Sequence, residues 1–229
     1  MAADVPVPRG ARLLELVAVM DRLRSPGGCP WDAAQTHESL LPYLLEETYE
    51  TVETIDAGDL VGLREELGDL LLQVVFHARI GEEHTAEPWS VDDVAGGIVD
   101  KLVSRHPHVF GPSADDGSVT AAEVEQSWES LKRVEKGRTS AVDGVPLAQP
   151  ALALADKLIG RAAKAGVDVP LPALVLPGEG AWTAEEAGAL LLAVVARTRA
   201  DGVDAEAALR AAARRYADSV RAAESLHPR

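Results

Sequence analysis

The sequence predicts an all-α protein built around a helical bundle. Apolar residues recur at three- and four-residue spacing along most of the chain, which is the period of amphipathic helices. Segments rich in Gly, Pro and small polar residues separate these patterns. In addition, the stretch from Leu44 to Asp69 places acidic residues at helical spacing on two successive helices. The rest of the chain is expected to support this acidic stretch.

The first acidic helix carries its carboxylates along one side. These are Glu46, Glu47, Glu50 and Glu53, and the apolar side holds Leu41, Leu44, Leu45, Thr48, Val52 and Ile55. After a turn at residues 56–59, the second helix is predicted from about Leu60 to Ile80. Glu66 and Asp69 share a face of it because they are three residues apart. This second helix is apolar almost all round, which is typical of the interior of a bundle.

The acidic residues have too few nearby cations to balance their charge. An acidic stripe alone is most often a solvated helix face. A buried helix that carries Glu66 and Asp69 requires something to neutralise them, because an unpaired buried carboxylate costs several kcal/mol. Arg64 is the only basic residue between Glu38 and Asp69. Hard oxygen ligands favour Mg²⁺, with Mn²⁺ as a substitute, so the sequence predicts a metal site.

Composition narrows the class of protein. The 229 residues carry a formal net charge of −15, which argues against binding to a nucleic-acid backbone. Cys29 is the only cysteine, so an internal disulfide is excluded and a reducing cytoplasm is expected. Residues 1–10 lack the apolar core of a signal peptide, and no apolar run is long enough to span a bilayer.

The segments around the acidic hairpin have recognisable boundaries. A helix is predicted over residues 11–23, and Thr36 is predicted to cap the helix that starts near His37. Between them, Trp31 lies beside a proline and allows two interpretations, a core residue on a rigid turn or part of a base pocket, of which packing into the core is favoured. Ser90 and Asp93 form a capping-box pattern that opens a helix over residues 91–104. An extended segment is predicted over residues 107–110, so His106 and His108 are left out of the site.

Two pairs of residues allow both a structural and a ligand-binding interpretation. Lys101 and Arg105 are four residues apart and lie on one face of a helix. They are interpreted either as surface cations or as phosphate ligands. Trp128 and Lys132 have the same spacing on a helix predicted over residues 121–135. Trp128 is interpreted equally well as a core residue, with Lys132 in solvent.

The chain is predicted to contain two helical domains. Residues 11–136 form the first, residues 137–150 have the composition of a linker, and residues 151–229 form the second. The run at residues 185–195 repeats that at residues 65–75, but Ala189 stands in the place of Asp69. Residues 170–180 are too rich in Pro and Gly to form a preceding acidic helix. The second domain is therefore predicted to be a degenerate repeat without a metal site.

Several motifs together resemble the MazG family of nucleoside triphosphate pyrophosphohydrolases. They are the E-E-x-x-E pattern at residues 46–50, the E-x-x-D pattern at residues 66–69, the G-C-P-W-D run at residues 28–32 with Gln35 and Thr36, the run at residues 66–76, and the stretch from Lys101 to Phe110. The resemblance covers about residues 12–140. It implies an all-α fold of the NTP pyrophosphatase type, with a four-helix core completed by homodimerisation. It also implies cleavage of nucleoside triphosphates to a monophosphate and pyrophosphate, a reaction that would suit removal of damaged nucleotides.

The resemblance also assigns roles to individual residues. The implied metal ligands are Glu47, Glu50, Glu66 and Asp69. Glu46 or Glu53 is implied to orient or deprotonate the attacking water. The implied substrate contacts are Lys101, Arg105, Trp128 and Lys132. The alternative is a non-catalytic helical protein in which the acidic stripe binds a structural metal or a basic partner.

Overall fold

The computed structural model describes residues 9–111, 120, 139–176, 178 and 180–226. These residues form helices, turns and extended loops with no strand, which confirms the predicted all-α class. The chain divides into two compact units, Met1–Ser127 and Trp128–Arg229. Within the described part of the chain, no helix combines the length and the apolar character needed to cross a membrane.

A long helical hairpin is the centre of the first unit. The described helices of this unit are α1 (Ala11–Arg24), α2 (Pro30–Ala34), α3 (His37–Ala57), α4 (Leu60–Gly81), α5 (Val91–Arg105) and α6 (Pro107–Phe110). The most extensive contact joins α3 to α4, while α1 and α5 each pack on α4. The predicted boundaries of α1, α4 and α5 agree with these to within one residue, and α3 begins at His37 as predicted but extends two residues into the predicted turn at 56–59.

Local capping interactions determine where the hairpin helices begin and end. Thr36 and Ser39 form a reciprocal capping box at the start of α3. Gly58 ends α3 with a φ of +70°, a conformation that glycine adopts without steric cost. The Asp59 side chain then accepts hydrogen bonds from the backbone N–H groups of Val61 and Gly62. The hairpin turn is therefore encoded by adjacent residues.

The apolar core of this unit lies toward the carboxyl-terminal half of α4. Its buried members are Met20, Leu40, Val75 and Phe76. Toward the start of α4, however, Leu60 is 78% exposed and Leu67 is 50% exposed. The prediction that α4 is buried on nearly all sides is therefore correct within one chain only from Val75 onward, because Leu71 and Val74 are exposed as well.

The buried Arg24 ties α1, α2 and α4 together. Its guanidinium, with a side chain only 3% exposed, pairs with Glu83 at 2.7 Å and lies over the ring of Phe76. It also donates hydrogen bonds to the backbone carbonyls of Asp32 and Gln35. Removing one partner of such a buried pair is costly, because the other charge is left uncompensated.

An aromatic cluster closes the far end of the hairpin. The Nδ1 atoms of His37 on α3 and His77 on α4 are 2.7 Å apart, so one ring donates a hydrogen bond to the other. Trp89 lies parallel to His37, with 5.9 Å between ring centroids. Burial, together with His37, keeps the pKa of His77 below its usual value. Gly81 lies against Trp89, and a Cβ atom there would overlap the indole ring.

Two local predictions are wrong. Trp31 does not pack into the core but is 52% exposed, because α2 is held in place through its backbone and its first turn faces outward. Residues 107–110 form the short helix α6 and not an extended segment. Pro107 occupies the first helical position, where its fixed φ and its missing N–H are both compatible with a helix.

The second unit contains three described helices. Residues 139–150 form turns, followed by α7 (Ala151–Lys164), an irregular segment, α8 (Ala184–Ala200) and α9 (Ala205–Leu226). Irregular structure in the described residues between 170 and 180 agrees with the Pro- and Gly-rich sequence there. Arg199 on α8 makes two 2.8 Å hydrogen bonds to the carboxylate of Asp156 on α7. The predicted degenerate repeat around Ala189 is on α8.

The contact between Gly81 and Trp89 predicts opposite effects of alanine at two helical glycines. Gly81→Ala is expected to lower the free energy of unfolding by about 1–3 kcal/mol through overpacking. Gly96→Ala on α5, where no atom lies within 4 Å of a new Cβ, is expected to raise it by about 0.5–1 kcal/mol. Urea denaturation followed by circular dichroism measures both. Equal changes in the free energy of unfolding for the two variants would contradict the close contact between Gly81 and Trp89.

Candidate metal centre

The hairpin brings carboxylates of α3 and α4 together. One carboxylate oxygen from each of Glu47, Glu66 and Asp69 lies within 4.8 Å of the other two. All three side chains are half-buried. Because α3 and α4 run antiparallel on either side of a tight turn, residues distant in sequence face each other. The hairpin therefore joins the E-E-x-x-E and E-x-x-D patterns in one cluster.

The carboxylates of this cluster repel one another. Burial raises the pKa of Glu47 above its usual value, and the charges of Asp69, Glu50, Glu66 and Glu46 raise it further. Burial and then Glu50 raise the pKa of Glu66 in the same way. Glu50 thus acts on both, which places the fourth predicted ligand at the cluster. No cation of the described residues contributes to either shift.

The donor set fits a hard divalent cation. Adjacent oxygens in an octahedral Mg²⁺ shell lie about 3 Å apart, so small side-chain rotations would bring these carboxylates to coordinating distance. All the donors are carboxylate oxygens, the ligand type that Mg²⁺ and Mn²⁺ prefer. A cation at this position would also remove the repulsion that raises the pKa values of Glu47 and Glu66.

The two residues predicted to act on water differ in their positions. Glu46 is exposed and contributes to the raised pKa of the adjacent Glu47, so it lies at the edge of the cluster. Glu53 is exposed one turn beyond Glu50 and is not among the groups that act on Glu47 or Glu66. The described geometry therefore brings Glu46 to the cluster more closely than Glu53.

The predicted substrate residues are not joined to the cluster within the described part of one chain. Lys101 is exposed and Arg105 is half-buried on α5, which makes its main contacts with α4 and α6. Neither cation is among the groups that shift the pKa of Glu47 or Glu66. Trp128 and Lys132 lie outside the described residues.

An aromatic contact between α2 and α3 was not predicted from the sequence, although a base pocket was one interpretation of Trp31. Trp31 and Tyr43 meet edge to face, with ring centroids 6.0 Å apart. Tyr43 precedes Glu47 by four residues, so the sequence already placed it on the acidic face of α3. No local pattern indicates that Trp31 would reach Tyr43, because Arg24, which holds the backbone of α2, is itself fixed by Glu83, 59 residues away in the chain.

The chain is similar in sequence to several known proteins. Residues 35–110 match the MazG nucleotide pyrophosphohydrolase domain. The chain is 39% identical over 226 residues to the nucleoside triphosphate pyrophosphohydrolase/pyrophosphatase MazG of Thermotoga maritima, covering 93% of this chain and 85% of that protein. It is 44% identical over 216 residues to the nucleoside triphosphate pyrophosphohydrolase of Mycobacterium tuberculosis, covering 94% of this chain and 59% of that protein.

An uncharacterized 26.1 kDa protein of Streptomyces cacaoi is 55% identical over 222 residues, covering 96% of this chain and 85% of that protein. The chain therefore spans most of the length of the Streptomyces and Thermotoga relatives. It spans only about three fifths of the mycobacterial relatives, at 59% and 63% of their lengths.

Neutralising one carboxylate is expected to stabilise the metal-free protein. A raised pKa means that the folded state disfavours the charged form of Glu66. This lowers the stability of the metal-free protein at neutral pH, and the destabilisation disappears as the pH falls below the pKa of a glutamate in the unfolded chain, about 4.3. In chelator at pH 7, Glu66→Gln is therefore expected to melt at a higher temperature than the wild type. This difference is expected to shrink toward pH 4.

Thermal melts followed by circular dichroism, with EDTA and with Mg²⁺, measure this effect. Mg²⁺ is expected to raise the melting temperature of the wild type and to have little effect on Glu66→Gln. Glu87→Gln, at an exposed loop carboxylate, is the matched control and should follow the wild type. A melting temperature for Glu66→Gln in EDTA below that of the wild type would contradict the repulsion between the carboxylates of the cluster.

Proposed function

Because the chain belongs to the MazG family of nucleotide pyrophosphohydrolases, we propose that it hydrolyses nucleoside triphosphates with Mg²⁺. The reaction breaks the bridge between the α and β phosphates and gives a nucleoside monophosphate and pyrophosphate. The convergence of Glu47, Glu66 and Asp69 at the α3–α4 contact is the observation that carries the proposal. Mn²⁺ is the expected substitute for Mg²⁺.

The acidic residues have different proposed roles in this reaction. We assign metal binding to Glu47, Glu50, Glu66 and Asp69. A divalent cation held there supplies the positive charge that offsets the triphosphate and orients it. The water that attacks phosphorus adds its oxygen and loses a proton to a carboxylate, while the pyrophosphate leaves. Glu46 is the preferred acceptor for this proton because it lies beside Glu47, and Glu53 is the second candidate.

We assign substrate binding to Lys101, Arg105, Trp128 and Lys132. An arginine offers a planar fork and a lysine a point charge, and both suit phosphate oxygens. We further propose that residues 11–136 are the catalytic domain, that residues 137–150 link it to the second domain, and that residues 151–229 are an accessory repeat without a metal site. Removal of damaged nucleotides in the cytoplasm is the proposed role.

We also propose that the protein acts as a homodimer through an uncovered side of the hairpin. Leu67, Leu71 and Val74 recur at i, i+4 and i+7 on α4, and each is at least 39% exposed. On α3, Leu41 and Leu45 form the start of a similar exposed stripe. Exposed apolar stripes of this kind mark interaction sites. A second hairpin would cover them and complete a four-helix bundle.

The proposed activity predicts a metal-dependent product pattern. Purified protein incubated with a panel of canonical and oxidised triphosphates is expected to release monophosphate and pyrophosphate with Mg²⁺, and neither product with chelator. Asp69→Ala is expected to lower turnover by at least about 10³-fold, with helical circular dichroism unchanged. Anion-exchange chromatography separates the products.

Two outcomes of this assay would require a different function. Diphosphate and orthophosphate as products would mean that a different phosphoanhydride bond is cleaved. No turnover of any nucleotide, with Mg²⁺ still raising the melting temperature, would favour the non-catalytic metal-binding protein.

The dimer proposal predicts that one charged residue introduced into the interface lowers the mass of the protein in solution from that of a dimer to that of a monomer. Wild-type protein is expected to scatter light as a dimer, and Leu71→Asp is expected to shift it to monomer by placing a charge in the apolar interface. Leu147→Asp, at a 75% exposed position in the second unit, is the matched control and should remain dimeric. A wild type that is monomeric at all concentrations would exclude the dimer.

A further inference from the structure

Gln73 on α4 carries a buried amide whose carbonyl oxygen lacks a hydrogen-bond donor. The residue is only 5% exposed, and among the residues that the structure describes no donor bonds to its Oε1 atom. Most buried polar side-chain atoms have at least one hydrogen-bond partner, because an orphaned polar group destabilises the fold. The exception at Gln73 indicates a partner that the described chain does not itself supply.

Gln73 lies on the side of α4 that faces α3. Four residues before it, Asp69 meets Glu47 of α3 in the acidic cluster. Four residues after it, His77 meets His37 of α3 through the hydrogen bond between their Nδ1 atoms. Residues at four-residue spacing share a helix face, so the buried Gln73 lies between these two contacts. It is therefore the neighbour of the acidic cluster on the side of the apolar core, about one helical turn from Asp69.

The polar side chains on either side of Gln73 do not supply the missing donor. His77 Nε2 is itself buried without a hydrogen-bond partner, so it does not donate to the amide. The carboxylates of Glu66 and Asp69 only accept hydrogen bonds when they are ionised. The carbonyl oxygen of Gln73 thus requires a donor from a bound group.

The need for a donor distinguishes between the groups that an acidic site can bind. Phosphate oxygens of a nucleotide accept hydrogen bonds and would leave the amide oxygen unsatisfied. Water bound to a divalent cation donates hydrogen bonds, and Mg²⁺ usually keeps several of its waters when a protein binds it. A neutral amide accepts such a bond without adding another negative charge to carboxylates that already repel one another.

We propose that Gln73 is a positioning residue of the metal centre, which accepts a hydrogen bond from a water molecule bound to the divalent cation. This inference rests on the proposed function, because the acidic cluster is there assigned to Mg²⁺. Hydrogen-bond partners outside the ligand set orient the metal-bound groups, and their loss typically lowers metal affinity about 10- to 100-fold. By orienting one bound water, Gln73 determines which positions around the cation remain for the triphosphate.

Calorimetric titration of Mg²⁺ into the full-length protein, without nucleotide, tests this role. Gln73→Leu removes the acceptor at a similar side-chain size and is expected to raise the Kd for Mg²⁺ roughly 10- to 100-fold. In EDTA, the same variant is expected to melt at a higher temperature than the wild type, because an apolar group replaces an orphaned polar one. An amide that only supported packing would give the opposite change in melting temperature.

Gln73→Glu and Thr51→Val are the matched comparisons. Gln73→Glu restores an acceptor and adds a negative charge, so it is expected to bind Mg²⁺ at least as tightly as the wild type and to melt at a lower temperature in EDTA. Thr51, on α3, is 8% exposed, and its hydroxyl already donates to the backbone carbonyl of Glu47. Thr51→Val therefore removes a buried polar group with a partner, and it should leave the Kd for Mg²⁺ unchanged.

The number of waters bound to the metal separates a water-mediated contact from direct ligation by Gln73. Electron spin echo modulation in D₂O counts these waters in the Mn²⁺-loaded protein. The count is expected to be the same in the wild type and in Gln73→Leu. One additional water in Gln73→Leu would show that Oε1 binds the cation directly and would overturn the proposal.

The other contrary results also have distinct meanings. An unchanged Kd for Mg²⁺ in Gln73→Leu would overturn the proposal and leave the proposed function intact. A melting temperature for Gln73→Leu in EDTA below that of the wild type would assign Gln73 to packing and overturn the proposal in that way. No binding of Mg²⁺ by the wild type would remove the metal site of the proposed function, and the role of Gln73 with it.

Discussion

The antiparallel contact between α3 and α4 is the feature on which the first unit depends. At one end of the hairpin, Leu40, Val75 and Phe76 are almost completely buried. Toward the other end, the same two helices hold Glu47, Glu66 and Asp69 within 4.8 Å of one another. The apolar end stabilises the fold by roughly 1.5–3 kcal/mol for each large buried side chain, which offsets the repulsion at the acidic end. Separating these two ends along one hairpin lets a site rich in like charges persist in a folded protein.

The unfavourable charge cluster is best understood as a feature of the metal-free state. The pKa values of Glu47 and Glu66 are raised by burial and by other carboxylates, with no cation of the described residues opposing the shift. Residues held in such an environment are typical of functional sites. The contrast with Arg24 is informative, because its buried charge is paired with Glu83 and hydrogen-bonded to two carbonyls. The protein neutralises its structural charge internally, whereas the acidic cluster would be balanced by the divalent cation proposed above.

Helix α8 of the second unit keeps the apolar pattern of α4 but lacks the counterpart of Asp69. On α8, Ala193 and Val195 are buried in the run that repeats α4, whereas Ala189 stands where the first copy has Asp69. Arg199 and Asp156 join α8 to α7 through a pair of charge-assisted hydrogen bonds. Buried apolar positions are needed for any helical packing, while carboxylates that repel one another persist only where their function compensates for their cost.

The sequence alone predicted α1, α3, α4 and α5 and placed Glu47, Glu66 and Asp69 on two successive helices, because both follow from local rules of spacing and capping. The caps at Thr36 and Ser90 and the three-residue spacing of Glu66 and Asp69 can be read from adjacent residues. The tertiary structure decided which side chains around the hairpin are exposed. Trp31 faces outward while α2 is held by its backbone through Arg24, and Arg24 is itself held by Glu83, 59 residues further along the chain. Apolar residues of α4 before Val75 are exposed because one hairpin has too few neighbours to cover them. Such outcomes depend on which distant residues pack together, and no spacing within a single helix encodes them.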